Sequence, residues 1–186
     1  MESNSPIDIL VKMFLGHGKT QTVFRSDKSG YQKRVSRFIH YCYSIAERNK
    51  GIQISQNGHA VLLYYLSNDK KMTLHDHLRY IRIALSIPLK MIRKSLAEEK
   101  LIKRKRIKGP FVYAWFLVQD DRYNGIDSLL ELRDHIFEVG RMKNAPVILE
   151  TSEAHLVKLY LRAGFEIYEE VKQPERTLWF FKADPI

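Results

Sequence analysis

The stretch VILETSEAHLVKLYLRAGFEIYEEV, residues 147 to 171, reads as an apolar strand, a short helix that ends at a glycine, and a second strand. Gly164 follows the helix where a left-handed C-terminal cap is expected, and Phe165 would then pack back on Tyr160. A plain strand–helix–strand unit needs neither this tyrosine nor a carboxylate, Glu150, inside its first strand. Both residues are therefore candidates for chemistry as well as for packing.

Each of these two residues has a structural and a functional interpretation. An unpaired buried carboxylate is costly, so Glu150 should meet a partner, water or solvent. It is either a member of a structural salt bridge or a general base. Tyr160 either only packs against Phe165, or its phenol near the helix end donates a proton to a leaving group.

Outward from this stretch, hydrophobic periodicity and turn residues predict alternating helices and strands. Ser128 and Glu131 have the spacing of a capping box at the start of a helix. The predicted elements are helices over 7–15, 31–49, 73–99 with a break near Ile87-Pro88, 128–142 and 153–163, a hairpin around Gln56-Asn57-Gly58, and strands over 111–118, 147–151, 165–171 and 176–182. This order predicts an α/β fold in which a mixed sheet carries helices on its faces.

Composition narrows the class of protein. The 186 residues are 45% hydrophobic, enough for a real core. No run approaches the roughly 18 uninterrupted apolar residues of a membrane span. Asp8 and Lys12 interrupt the N-terminus where a signal peptide would need an apolar run, and the one cysteine, Cys42, cannot form an internal disulfide. We therefore expect a cytoplasmic protein.

The net charge of +10 favours an anionic partner, which could be nucleic acid, anionic lipid or a phosphate-bearing cofactor. Residues 73–110 also have the pattern of a winged helix, with a recognition-like helix over 88–99 and a basic hairpin from KLIKRKRIK, residues 100–108. That helix has few base-reading side chains, and the basic run lacks interspersed aromatic residues. The run is better interpreted as a solvated helix end and loop, and nucleic acid is not the expected partner.

The turn after the central strand is a candidate anion site. It runs from Arg122 to Asp127 and leads into a helix whose free N–H groups and positive end can hold a phosphate. Gly125 allows a close approach and Arg122 could pair with the anion. The alternative is an ordinary turn in which Asp127 or Ser128 caps the helix. The carboxylate of Asp127 counts against a phosphate, because it already satisfies the helix dipole and repels a second anion.

Residues 111–182 resemble the Gcn5-related N-acetyltransferase (GNAT) superfamily. LETSEAHLVKLYLRAGFEIYEE is similar to its second acetyl-CoA motif, with Tyr160 and Gly164-Phe165 at the family's spacing. FLVQDDRYNGIDSLLEL lies where the first acetyl-CoA motif belongs, between a strand and a helix. Arg122, Gly125 and Ser128 fit the spacing of that motif. KTQTVF, the following long helix and the GIQIS hairpin look like a bacterial branch with an enlarged helical middle. The resemblance implies one GNAT-like domain over 1–186, with residues 72–108 as a helical insertion that has a basic end.

The sequence departs from the family pattern at three places. Tyr123 and Asp127 stand at loop positions that usually carry glycine or another small residue. A register shifted by one residue instead puts Tyr123-Asn124 in the Arg/Gln-Gly places of the motif. Leu156 stands near the position of an asparagine that is common in the second helix.

The resemblance implies a mixed, mostly antiparallel sheet with helices on both faces, and acetyl transfer from acetyl-CoA to an amine of a small molecule or peptide. Strands that part near residues 118 and 149 would form the slot for the cosubstrate. Tyr160 would protonate the departing thiolate, and Glu150 would relay the proton of the amine. No metal is implied, and a homodimer is left open. The residues implied to bind acetyl-CoA are Leu117 and Val118 at the thioester and Arg122, Tyr123, Asn124, Gly125, Ile126, Asp127 and Ser128 at the pyrophosphate.

Two other functions stay open at this point. The altered loop is typical of a GNAT-fold protein that has lost catalysis and binds CoA or a protein partner. The other alternative is the winged-helix-like nucleic-acid-binding protein.

Overall fold

The computed structural model describes residues 5–67 and 72–185, in which a six-stranded sheet lies between two layers of helices. The elements in chain order are α1 (Pro6–Gly16), α2 (Gly18–Phe24), α3 (Tyr31–Arg48), β1 (Ile52–Ile54), β2 (Ala60–Leu66), α4 (Leu74–Ala84), α5 (Leu89–Lys105), β3 (Val112–Gln119), α6 (Asp127–Lys143), β4 (Val147–Thr151), α7 (Ala154–Arg162), β5 (Glu166–Lys172) and β6 (Thr177–Ala183). No helix among these residues is long and apolar enough to cross a membrane.

The sheet has the strand order β1-β2-β3-β4-β6-β5. Every neighbouring pair is antiparallel except β3 and β4, which are parallel. Gly58, with φ +72°, takes the left-handed conformation that the predicted turn between β1 and β2 requires. A parallel pair needs a crossover connection, and α6 provides it between β3 and β4. The predicted fold class, a mixed and mostly antiparallel sheet with helices on both faces, is confirmed.

Two hydrophobic cores lie on opposite faces of the sheet. Successive residues of β2 point to opposite faces, so Val61 packs against α1, α2 and α3 while Leu62 packs against α6 and α7. This explains why the apolar run AVLLYYL does not alternate with polar residues. The predicted inward residues of α3 include Cys42, which is fully buried.

The basic run of residues 100–108 belongs largely to a helix. The predicted break near Ile87-Pro88 is confirmed, because α4 ends at Ala84 and α5 begins at Leu89. However, α5 then continues to Lys105, and the three basic residues of its last turn lie where the helix dipole favours positive charge. The basic hairpin of the winged-helix alternative is therefore wrong.

Two further local features differ from what the sequence predicts. The helix α2, which begins at Gly18 and ends at Phe24, was not predicted. The capping box at the start of α6 is wrong, because the Ser128 hydroxyl donates to Asn57 Oδ1 at 2.9 Å and the Glu131 carboxylate accepts the backbone N–H of Gln56 at 3.0 Å. These two residues tie the turn between β1 and β2 to α6 instead of capping the helix.

Candidate active site

The central feature of the site is a slot where β3 and β4 part. The two strands are paired only at Val112–Val147 and Tyr113–Ile148. β3 stays paired with β2 as far as Gln119, and β4 stays paired with β6 as far as Thr151. No further ladder pair joins β3 to β4 within the described ranges. The C-terminal half of β3 and the end of β4 therefore face each other across an opening in the sheet, near residues 118 and 149, where the family resemblance implies one.

A β-bulge in β3 accompanies this opening. Leu63 pairs with Phe116 and the next residue, Tyr64, pairs with Ala114, so Trp115 is the extra residue. A bulge bends its strand and increases the local twist. Beyond the bulge, Val118 packs into the core under α1–α3 and Leu117 is partly exposed. Leu117 and Val118 therefore lie in the part of β3 that borders the slot.

Glu150 is held by a tyrosine of the neighbouring strand. The Tyr113 hydroxyl donates a hydrogen bond to Glu150 Oε1. Burial raises the pKa of Glu150, and the hydrogen bond from Tyr113 and the positive charge of Arg106 offset this only in part. None of the described residues forms an ion pair with Glu150. The structural salt bridge considered for it is therefore wrong, and its partner is a neutral phenol.

Arg106 and Tyr65 both contact the ring of Tyr113. The Arg106 guanidinium lies 3.9 Å above the centre of the Tyr113 ring and donates to the Tyr65 hydroxyl at 3.0 Å. Burial first, and then the charge of Glu150, raise the pKa of Tyr113 well above its usual value. Tyr113 therefore keeps its proton and remains the donor in its bond to Glu150.

Tyr160 packs on the face of the sheet opposite Glu150, in the core that contains Val147 and Leu149 of β4. Its ring lies 6.0 Å from that of Phe165 and 5.3 Å from that of Phe181. Gly164 has φ +94°, and the Phe165 N–H donates to the Tyr160 carbonyl at 3.0 Å, so the predicted left-handed cap and return packing are confirmed. Burial, together with the charge of Glu150, raises the pKa of Tyr160. Its hydroxyl is protonated at neutral pH and bonds to no other described residue.

The loop before α6 is folded onto itself. The Tyr123 ring stacks on His59 with ring centres 4.4 Å apart, and its hydroxyl donates to Asp127 Oδ1 at 2.5 Å. The Asn57 side-chain amide donates to the other oxygen of Asp127 at 3.3 Å. The bond from Tyr123 lowers the pKa of Asp127, so this carboxylate is ionised at the first residue of α6.

Arg122 pairs with Asp120, the residue that follows β3. It forms an ion pair of 2.6 Å with Asp120, and hydrogen bonds from Arg122 lower the pKa of that buried carboxyl. Gln119 donates its amide to the carbonyls of Tyr123 and Gly125 at 2.9 and 3.0 Å, which fixes the course of the loop. Of the other predicted loop residues, Asn124 and Ile126 are exposed and Ser128 is buried.

Sequence reasoning missed a polar cluster close to Glu150. Glu98 of α5 pairs with Lys19 of α2 and with Arg176 of the turn between β5 and β6, each at 2.5 Å. Burial alone raises the pKa of Glu98, but the hydrogen bonds from these two partners outweigh it and lower that pKa. The charges of Lys19 and Glu98 act on Glu150 in opposite directions. The three residues are far apart in the chain, and no local pattern links them.

Solved structures with the same architecture identify the fold. One is described as histone acetyltransferase HPA2 and related acetyltransferase from Corynebacterium glutamicum. It has a TM-score of 0.63 and 13% identity, over 97% of this chain and 90% of that one. Another, described as an acetyltransferase, has a TM-score of 0.59 and 13% identity over 100% of this chain and 98% of that one. The chain adopts the GNAT fold.

A third structure with the GNAT fold is arylalkylamine N-acetyltransferase 2 from Aedes aegypti. It has a TM-score of 0.53 and 15% identity, over 80% of this chain and 79% of that one. No protein-family model and no curated protein matches the chain. At these identities the similarity shows the fold, which the resemblance in sequence implied, and the chemistry depends on the residues of the slot.

Proposed function

We propose that the protein is an N-acetyltransferase that transfers the acetyl group of acetyl-CoA to an amine of a small molecule or peptide. The observation that carries this proposal is the parting of β3 and β4 beside Glu150, in a chain with the GNAT fold. The slot edge of β3 near Leu117 and Val118 offers backbone groups to a thioester. Most of the rate then comes from holding the amine against the thioester carbon.

In the proposed reaction, Glu150 acts as the base and Tyr160 as the acid. The amine nitrogen attacks the thioester carbonyl carbon, and backbone N–H groups of β3 stabilise the oxyanion. Glu150 accepts the proton that leaves the nitrogen, directly or through one water. When the C–S bond breaks, Tyr160 gives its proton to the sulfur, and the phenolate takes a proton back from solvent. The products are an amide and a free thiol.

The pKa directions fit these two roles. Burial raises the pKa of Glu150, which makes its carboxylate a stronger base. Burial also raises the pKa of Tyr160, which keeps the phenol protonated and able to act as an acid. We therefore expect activity to fall as the pH falls through the raised pKa of Glu150.

The experiment that tests the proposal measures free thiol while acetyl-CoA is mixed with a panel of arylalkylamines, polyamines and peptides. Tyr160→Phe should lower kcat by about 10²-fold with little change in KM, because a general acid acts only in the transition state. Tyr31→Phe is the matched control, since its hydroxyl bonds to the Leu15 carbonyl at 2.9 Å and has no part in the slot. Full activity of the Tyr160 variant, or no thiol release with any amine, counts against the proposal.

A second candidate function is a GNAT-fold protein that binds CoA or a protein partner without catalysis. The contact between Tyr123 and Asp127 over Gly125 favours this candidate in a form that binds CoA only weakly, because the contact covers the loop assigned to the pyrophosphate. Thermal unfolding with acetyl-CoA and with CoA separates the two functions, since any ligand that binds the folded state raises Tm. The absence of a shift at millimolar cofactor, together with no thiol release, supports the second candidate.

Nucleic acid is not the proposed partner. If the protein bound duplex DNA with an affinity that falls steeply with salt, and did not bind acetyl-CoA, nucleic-acid binding would replace acetyl transfer as the proposed function.

A further inference from the structure

The N-terminus of α6 already carries an anion from its own chain. Asp127 is the first residue of the helix, and its carboxylate accepts hydrogen bonds from the Tyr123 hydroxyl at 2.5 Å and the Asn57 amide at 3.3 Å. The positive end of a helix dipole acts within the first turn, so a carboxylate held there takes the place that another anion would use.

The approach to Gly125 is also filled. A glycine in such a loop lets a phosphate come close to the backbone. Here a Cβ added to Gly125 would lie 2.5 Å from Asp127 Oδ1 and 2.7 Å from Tyr123 Oη, so these two side chains cover the space beside its α-carbon. Gly125 is present, but the free space beside its α-carbon that a bound phosphate would need is occupied by these two side chains.

Neighbouring elements hold this arrangement in place. The Tyr123 ring is stacked on His59, the residue before β2, with the rings inclined by only 9°. Gln119 ties the carbonyls of Tyr123 and Gly125 to the end of β3. The closed loop is supported by the hairpin, by β3 and by α6, and it does not depend on a single contact.

The slot itself is not closed by these contacts. The parting of β3 from β4 follows from their short ladder and the bulge at Trp115, upstream of the loop. In the proposed reaction the slot takes the pantetheine thioester, and the diphosphate of a nucleotide would meet the charge of Asp127. Charges of the same sign that come into contact repel each other, and because Asp127 is exposed this repulsion weakens as the salt concentration rises.

We propose that Tyr123 and Asp127 set the donor class of this protein, so that it recognises an acyl donor by its pantetheine thioester and gains little from a nucleotide diphosphate. The inference rests on the proposed acyl transfer and specifies which part of the donor is bound. It predicts that donors without the nucleotide are used about as well as acetyl-CoA.

The first test compares S-acetylpantetheine with acetyl-CoA by calorimetric Kd and by kcat/KM for the wild-type protein. We expect the two donors to differ by less than about tenfold in both quantities, which corresponds to about 1.4 kcal/mol. A preference for acetyl-CoA above that limit overturns the inference while leaving the proposed function intact. Absence of binding and turnover with both donors overturns the proposed function itself.

The second test removes the negative charge and the Tyr123–Asp127 hydrogen bond at the loop, while the Tyr123 ring stays beside Gly125. Asp127→Asn removes the charge with little change in shape, and Tyr123→Phe removes the hydroxyl while keeping the ring on His59. The double variant should bind CoA at least about tenfold more tightly than wild type does, with a steeper loss in high salt, and should bind pantetheine unchanged. An unchanged affinity for CoA contradicts the inference.

The matched control is Asp121→Asn. Asp121 is an exposed residue of the same turn whose carboxylate pairs with Lys12 at 2.5 Å, away from the start of α6. This variant changes the net charge by the same amount as Asp127→Asn does. It should leave both affinities as they are, and an equal gain in CoA affinity would mean that overall charge, and not the closed loop, limits binding.

Discussion

The bond between Tyr113 and Glu150 gives a stability prediction with a defined pH dependence. Above the raised pKa of Glu150 the phenol donates to a charged carboxylate, and such bonds contribute about 1.5–3 kcal/mol. Below that pKa the bond joins two neutral groups, which contribute about 0.5–1.5 kcal/mol. Tyr113→Phe should therefore lower the free energy of unfolding by more at high pH than at low pH.

The assay is urea unfolding of wild type and variant, measured at about pH 8 and again on acidification toward the ordinary pKa of a glutamate. A double-mutant cycle with Glu150→Gln isolates the pair, because in the glutamine background Tyr113→Phe should have the smaller, pH-independent cost. Tyr31→Phe removes a neutral bond to the Leu15 carbonyl and serves as a pH-independent control. An equal cost of Tyr113→Phe at both pH values would refute the assignment of a charged bond.

Three further substitutions test other parts of the structure by urea unfolding. Glu150→Gln should stabilise the protein above the raised pKa of Glu150, because wild type loses stability as the pH rises from the ordinary value of 4.5 through that pKa, and the gain should vanish in acid. Gly164→Ala should cost about 1–2 kcal/mol because of its φ of +94°, whereas Gly16→Ala, which meets no atom within 4 Å, should not destabilise. Asp76→Asn should cost about 1–3 kcal/mol at neutral pH, since Asp76 is buried and bonds to Thr73 and Arg48. Because its folded pKa is lowered, that cost should shrink as the pH falls below 3.8 through the folded pKa, and a constant cost would contradict the lowered pKa.

Features that depend on local backbone geometry could be predicted from the sequence. The turn at Asn57-Gly58 and the cap at Gly164 each need a glycine with positive φ, and both are present. The apolar strands β2, β3 and β4 are visible because burial on both faces leaves a continuous apolar run.

Features that depend on contacts between distant residues could not be predicted. Ser128 and Glu131 have the spacing of a capping box, but partners from the hairpin turn about 70 residues earlier bind them instead. Glu150 has no partner within its own motif, because its hydrogen-bond donor, Tyr113, comes from the adjacent parallel strand. Spacing within a motif specifies a helix or a turn, and the contacts of its polar side chains depend on the tertiary fold.

The most direct test of the account is a crystal structure of the protein with S-acetylpantetheine. We expect the pantetheine arm between the diverging ends of β3 and β4, along Leu117 and Val118, with its sulfur within hydrogen-bonding reach of the Tyr160 hydroxyl. A bound arm that lies outside this slot, or strands β3 and β4 that are paired along their whole length, would contradict the central claim.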